Sequence, residues 1–301
     1  PSAMEVLPPC PAQFSTPTDQ TDHGQGRALR QGEHVQLKID MCGFYTDLAA
    51  ALQSPAVATA PWRFGWRDSL MLLDYDDTLL PTSYLREQSL LPSTVDGDWD
   101  LELPAEAVAP LEALDAEAAE FVKAVKECGR TVVVTNGVEG WIDNTAPHFL
   151  PKTWAQIQSI EHFSARAAHQ HKSDNPFHWK GAAYLSQLCQ HASWQYGFTN
   201  VISIGDSPVE REALLWSCRQ IPSSVPKNVK LLERPAPQVL QRQLSALRPH
   251  LPRVAEFFGP MDLYADDTEP ELATGVPLGE QLRTTTGASR RRSGRGRPRL
   301  P

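Results

Sequence analysis

The stretch SLMLLDYDDTLLP, Ser69 to Pro81, decides the fold. An apolar run ends in three carboxylates, Asp74, Asp76 and Asp77, followed at once by Thr78 and a further apolar pair. Carboxylates this close repel one another, so a sequence that keeps them together is holding them for a purpose. A divalent cation with hard oxygen ligands, Mg²⁺ in the first instance, offsets that repulsion.

Outward from this stretch, short apolar strands alternate with segments of helical period. The strand candidates are Leu70–Asp74, Thr131–Thr135, Ser159–Phe163, Val201–Gly205 and Val229–Leu232. Leu111, Leu114, Ala118, Phe121, Val122 and Val125 recur at helical spacing, with Gly129 as the stop. A second helix runs from Trp179 to His191, with Trp179, Ala183, Leu185, Leu188 and Cys189 inward, and a last stripe joins Leu240, Leu244, Leu247 and Leu251. This order predicts an α/β fold: a doubly wound, Rossmann-like parallel sheet with its site at the carboxyl ends of the strands. Asp74, Thr135-Asn136-Gly137 and Asp206 stand at those ends.

The chain has 301 residues and a formal charge of -8, which leaves room for a real core and argues against nucleic-acid binding by the whole surface. Its 26 prolines crowd toward the ends. The expected organisation is a disordered arm over 1–33, an extension packing on the core over 34–67, the catalytic domain over 68–258 and a disordered tail over 259–301. Within the extension His34 to Ile39 alternates weakly, and Trp62, Phe64 and Trp66 suit the domain edge. The 5 cysteines are unpaired in spacing, which predicts reduced thiols in the cytoplasm or nucleus. No stretch approaches the roughly 18 consecutive apolar residues of a membrane span, and no membrane partner is expected.

Four motifs in order resemble those of the haloacid dehalogenase (HAD) superfamily, and the resemblance covers about residues 68 to 250. They are the strand followed by Asp74-Tyr75-Asp76-Asp77-Thr78; TVVVTNG with Thr135; FHWKGAAYL with Lys180; and ISIGDSPVE with Asp206 and Glu210. The combination with FLP, SAR and LLERP is similar to a HAD-like group found in unicellular eukaryotes. The resemblance implies a Mg²⁺-dependent phosphatase in which Asp74 is the nucleophile that becomes an aspartyl-phosphate and Asp76 the general acid and base. It further implies that Thr135 with the backbone N–H groups of Asn136 and Gly137 holds phosphoryl oxygens, and that Lys180 steadies the charge. Asp74, Asp206 and the backbone carbonyl of Asp76 would hold the metal, with Glu210 as a further ligand. Asp77 falls where the family often has Gly, so its side chain is expected to serve the turn.

Each residue also has a plain structural reading. Asp74 and Asp76 suit a turn with Thr78 as a helix cap, and Thr135-Asn136-Gly137 is an ordinary turn signal. Lys172 or Arg166 could replace Lys180 as the cation, and Glu210 suits the first turn of a helix on dipole grounds. His169, His171 and His178 lie in a polar neighbourhood without a cysteine and read as solvated loop residues. Trp141 and Arg166 could contact a substrate, while packing for Trp141 and a surface ion pair for Arg166 are the plainer readings.

Neither Leu79–Arg130 nor Val138–Trp179 is long enough for a full cap domain beyond the core elements it must supply. Leu85 to Leu103, with Trp99, is the nearest thing to a flap. An open site suits a phosphate carried on a protein or another bulky partner that excludes water itself. In the tail, Arg290, Arg291, Arg292, Arg295, Arg297 and Arg299 surround SGRGRPRL, which resembles an AT-hook for the minor groove of DNA. The same composition suits an import signal or a general polyanion binder. The competing functional class is a catalytically inactive HAD-like scaffold for protein or nucleic-acid binding.

Overall fold

The computed structural model describes residues 63–92, 103–191 and 199–266, together with the backbone of a strand at 35–40. The strands are β1 (Val35–Asp40), β2 (Ser69–Leu73), β3 (Arg130–Thr135), β4 (Glu161–Ser164), β5 (Thr199–Gly205), β6 (Ser224–Lys230) and β7 (Met261–Asp266). They form one sheet in the order β1-β7-β6-β5-β2-β3-β4, and every pairing is parallel. The helices are α1 (Thr82–Glu87), α2 (Ala105–Cys128), α3 (Trp141–Phe149), α4 (Pro151–Ile157), α5 (Ala165–His169), α6 (Pro176–His191), α7 (Pro208–Gln220), α8 (Pro237–Leu247) and α9 (Leu251–Glu256).

Alternation along β2 builds both layers. Met71 and Leu73 join a core with Leu114, Phe121 and Val125 of α2 and Leu240 and Leu244 of α8. Leu70 and Leu72 face the other way, onto Trp179, Ala183 and Leu188 of α6 and Leu214 of α7. A parallel strand covered on both faces must be apolar throughout, which is why SLMLL shows no polar alternation. The doubly wound layout expected from the sequence is therefore present. The chain grows outward from β2 through β3 to β4, then returns to β5 on the opposite side of β2. The β2–β5 boundary is the switch point where a doubly wound sheet opens a crevice at its carboxyl edge.

Three local devices hold this frame. Gly129 joins α2 to β3 where a Cβ would come within 2.5 Å of the Ser69 carbonyl oxygen, so the close approach requires glycine. Asp115, buried in α2, accepts the backbone N–H groups of Lys152 (3.0 Å) and Thr153 (2.8 Å) and so caps the start of α4. Lys227 of β6 is fully buried and donates to the carbonyls of Val254 (2.7 Å), Ala255 (3.0 Å) and Phe257 (2.5 Å) at the end of α9. Burial pushes its amine well below the ordinary lysine value, and the three carbonyls and the rings of Phe64 and Phe257 oppose that.

Several boundaries differ from the sequence reading. The tail expected from 259 begins too early: β7 pairs with β6, and Asp262 is tied to Arg211 and Asn228. β6 starts at Ser224 rather than Val229, with Pro226 inside it. Cys189 is exposed on α6, while Lys180, Tyr184 and Gln187 are buried there. Phe64 is buried and stacks on Phe258, whereas Trp66 stands 54% exposed. The arm at 1–33, Trp62, Trp99 and the Arg-rich segment 290–299 lie outside the described residues. Among those described, no helix is long and apolar enough to cross a membrane.

Candidate functional site

Asp74 follows β2 directly, and its N–H donates to the Ile204 carbonyl of β5 at 2.9 Å. The first carboxylate is thus still anchored in the sheet, at the switch point. After it the chain turns sharply, with the N–H groups of Leu79 and Leu80 both returning to the Tyr75 carbonyl. Tyr75 is buried on the far side, its hydroxyl 2.8 Å from Thr145 Oγ1. Asp77 sits in the left-handed region at φ 54, a conformation that Asp tolerates better than most residues. Its side chain accepts the Ser83 N–H (2.8 Å) and hydroxyl, which caps the start of α1. Asp77 therefore serves the turn.

The buried Asp74 carboxylate accepts Lys180 Nζ on Oδ1 and the Thr78 hydroxyl, at 3.1 Å, on Oδ2. Lys180 comes from the second turn of α6, a helix begun by Asn175, whose side chain accepts the Phe177 N–H at 3.0 Å. The same ammonium reaches Glu210 Oε1 at 2.6 Å. Glu210 belongs to α7, where Ser207 and Glu210 form a reciprocal cap: Glu210 Oε2 accepts the Ser207 N–H at 2.9 Å and its hydroxyl at 2.6 Å. Gly205 makes this fit possible, since a Cβ there would lie 2.5 Å from Glu210 Cγ.

Charge is unevenly shared. Burial opposes the Lys180 charge, but Asp74 and Glu210 outweigh it and hold the ammonium well above its ordinary value. Burial likewise opposes the Glu210 charge, and Lys180 with the Ser207 donors turns the balance downward. Asp74 moves the other way, up to about 7, because burial and the charges of Glu210 and Asp76 exceed the help from Lys180. Asp206 is pushed up to about 9, by burial first and then by Asp74, Glu210 and Asp77. One ammonium cannot satisfy three neighbouring carboxylates, and Lys180 hydrogen-bonds two of them, Asp74 and Glu210. Asp206 receives no hydrogen bond among the described residues.

Asp76 projects into a cavity of about 1070 Å³ that is also lined by Thr82, Arg86, Gly137, Trp141 and Arg166. Its carboxylate accepts Thr82 Oγ1 (2.7 Å) and Trp141 Nε1 (2.7 Å) on Oδ1, and Thr135 Oγ1 on Oδ2. The Thr135 hydroxyl accepts the Gly137 N–H at 2.8 Å, so of the groups expected to hold phosphoryl oxygens Thr135 is engaged with Asp76 and the Gly137 N–H with Thr135. Asn136 donates weakly to the Pro176 carbonyl at 3.4 Å, while its Oδ1 is buried without a partner. Arg166 stacks over Trp179, 5.6 Å from the ring centroid, and donates to Gln170 instead of entering a surface ion pair.

The residues singled out by sequence are thus brought together in two linked groups. Asp74, Lys180 and Glu210 form a buried charge cluster with the half-buried Asp206 beside it, and Asp76, Thr135 and Gly137 form a polar rim on the cavity. Thr82 is not singled out by the sequence, and Trp141, a candidate for substrate contact there, instead bonds Asp76. Glu210 departs from the expected ligand set because both its oxygens are committed to Lys180 and Ser207. Among the described residues, no group of three or more His, Cys, Asp or Glu side chains is arranged to hold a metal by itself. No family model, curated protein or solved structure matches the chain.

Proposed function

We propose that the protein is a Mg²⁺-dependent phosphohydrolase of the HAD type, acting through Asp74 on a phosphate ester carried by a protein or another bulky partner. The observation that carries this reading is the pair Asp74 and Asp206 at the ends of adjacent strands. Burial raises both, and neighbouring carboxylates add to it, Glu210 and Asp76 at Asp74 and Asp74, Glu210 and Asp77 at Asp206, while among the described residues Lys180 is the cation that opposes the shift at both. Two carboxylates short of positive charge fit Mg²⁺, which is held by one or two carboxylates and completes its shell with water and phosphate oxygens. In this role Asp74 and Asp206 would hold the ion, with the Asp76 carbonyl as a further donor. When bound it would supply the positive charge that lets an anionic ester approach a carboxylate.

The remaining steps fall to the chain itself. Asp74 attacks phosphorus, the bond to the leaving oxygen breaks, and Asp76 delivers a proton to that oxygen. Water then attacks the aspartyl-phosphate, Asp76 takes its proton, and the bond between phosphorus and Asp74 breaks to release phosphate. Oδ2 of Asp74 is the oxygen suited to attack, since it carries only the 3.1 Å bond from Thr78 while Lys180 holds Oδ1. Thr135 is placed to turn its hydroxyl from Asp76 toward a phosphoryl oxygen.

A bulky substrate is supported by the described segments between β3 and α6, which form only α3, α4, β4 and α5. A cytoplasmic or nuclear setting is supported by Cys128 and Cys218, free buried thiols that burial pushes up to about 11. The test is phosphate release by the purified full chain in Mg²⁺ from phosphopeptides, nucleotides and sugar phosphates. Release from phosphopeptides that disappears in Asp74→Asn supports the reading. Release that survives Asp74→Asn, or none from any ester, refutes it.

A further inference from the structure

The indole of Trp141 does more than pack. It lies at the first position of α3, directly after Gly140, whose φ of 72 turns the chain into the helix. From there its N–H reaches Asp76 Oδ1, 65 residues earlier in the chain, at 2.7 Å. Gly137 clears the way: a Cβ at that position would stand 2.6 Å from Trp141 Cδ1, closer than the ring allows. Thr145 one turn on donates to the Trp141 carbonyl at 2.7 Å and meets the buried Tyr75 hydroxyl, which ties the indole's backbone to the residue preceding Asp76.

The donors around Asp76 are not equivalent. The hydroxyls of Thr82 and Thr135 can rotate and accept in place of donating, whereas an indole nitrogen is a donor only. A proton on Oδ1 would meet the indole hydrogen head to head. On Oδ2 it meets only the Thr135 hydroxyl, which can turn away. We propose that Trp141 is a positioning residue for Asp76, whose indole N–H reserves Oδ1 as an acceptor and confines the transferable proton to Oδ2. This rests on the phosphohydrolase reading given above. In the transfer the Oδ2–H bond breaks as the O–H bond of the leaving group forms, and Asp76 is left as a carboxylate bonded to the indole.

Trp141→Phe removes the N–H and keeps a ring over Gly137. A misaligned acid matters when the leaving oxygen needs a proton and matters little when it does not. For an alkyl phosphate, kcat should fall about 30-fold or more, within the usual contribution of general acid catalysis, while 4-nitrophenyl phosphate should lose less than about 3-fold. KM should hold for both. Equal losses on the two esters, or none on the alkyl ester, would overturn the assignment. Absence of turnover by the unaltered chain would bring down the phosphohydrolase reading and this inference with it. An independent check needs no activity: the assigned Trp141 indole proton resonance should move upfield in Asp76→Ala, and an unmoved resonance refutes the contact.

Discussion

Replacing Lys180 with Met tests the buried charge cluster as a whole. Met keeps most of the side-chain volume, so the change is chiefly the loss of one ammonium that bonds Asp74 and reaches Glu210 at 2.6 Å. Removing one partner of a buried ion pair leaves uncompensated charge and costs about 3–5 kcal/mol. The cost must depend on pH, and its sign follows from the two proteins. In the parent chain Glu210 is held below its usual 4.5, so its contribution is present above that value and is lost as pH falls through the lower folded value. Without the ammonium, burial, the largest influence on Glu210, is opposed only by the Ser207 donors and raises the group above 4.5, so the variant loses stability as pH rises through that region. The difference should therefore be smallest near pH 4 and reach its full size by about pH 8. Urea unfolding of both full-length chains, followed by circular dichroism across that range, measures it. A difference below about 1 kcal/mol at pH 8, or one independent of pH, would refute the reasoning.

Two other substitutions test the frame. Lys227→Met should destabilise by about 3 kcal/mol or more, since it orphans the carbonyls of Val254, Ala255 and Phe257, and a lower urea midpoint would register the loss. Asp115→Ala should cost about 1–3 kcal/mol by leaving the Lys152 and Thr153 N–H groups without their cap, with amide exchange accelerated first in α4.

Much of this architecture was legible because buried parallel strands announce themselves as apolar runs. SLMLL, TVVVT and NVISIG stand out from their surroundings, and the residues after them mark the carboxyl edge of the sheet. Lys180 was legible only as one of several cations. What singles it out is its place on the inner face of α6, which helical periodicity of apolar residues does not reveal, because Lys, Tyr and Gln share that face with Trp179 and Ala183. β6 was misplaced because Pro226 reads as a strand breaker, and β7 because Met261–Asp266 carries two acids and runs straight into an acidic, proline-bearing stretch. Trp141 illustrates a different limit. A tryptophan after Gly140 signals helix entry and packing, and nothing local says that its nitrogen finds a carboxylate in another loop. The available clue was the pair Gly137 and Gly140 beside a site loop, the first removing a Cβ from the path of the Trp141 ring and the second supplying the positive φ that turns the chain into the helix.

The position of β7 bears on how the chain may be shortened. Its composition invites a cut after Phe258, yet that cut would remove the neighbour that pairs with Lys227–Lys230 along β6. It would also strip Asp262 from Arg211 and Asn228, so that a cation and an amide lose their partner together. The open flank of β6 would then offer unpaired backbone groups to any other strand in solution, the usual beginning of association between chains. Trimming that spares the sheet starts beyond Asp266.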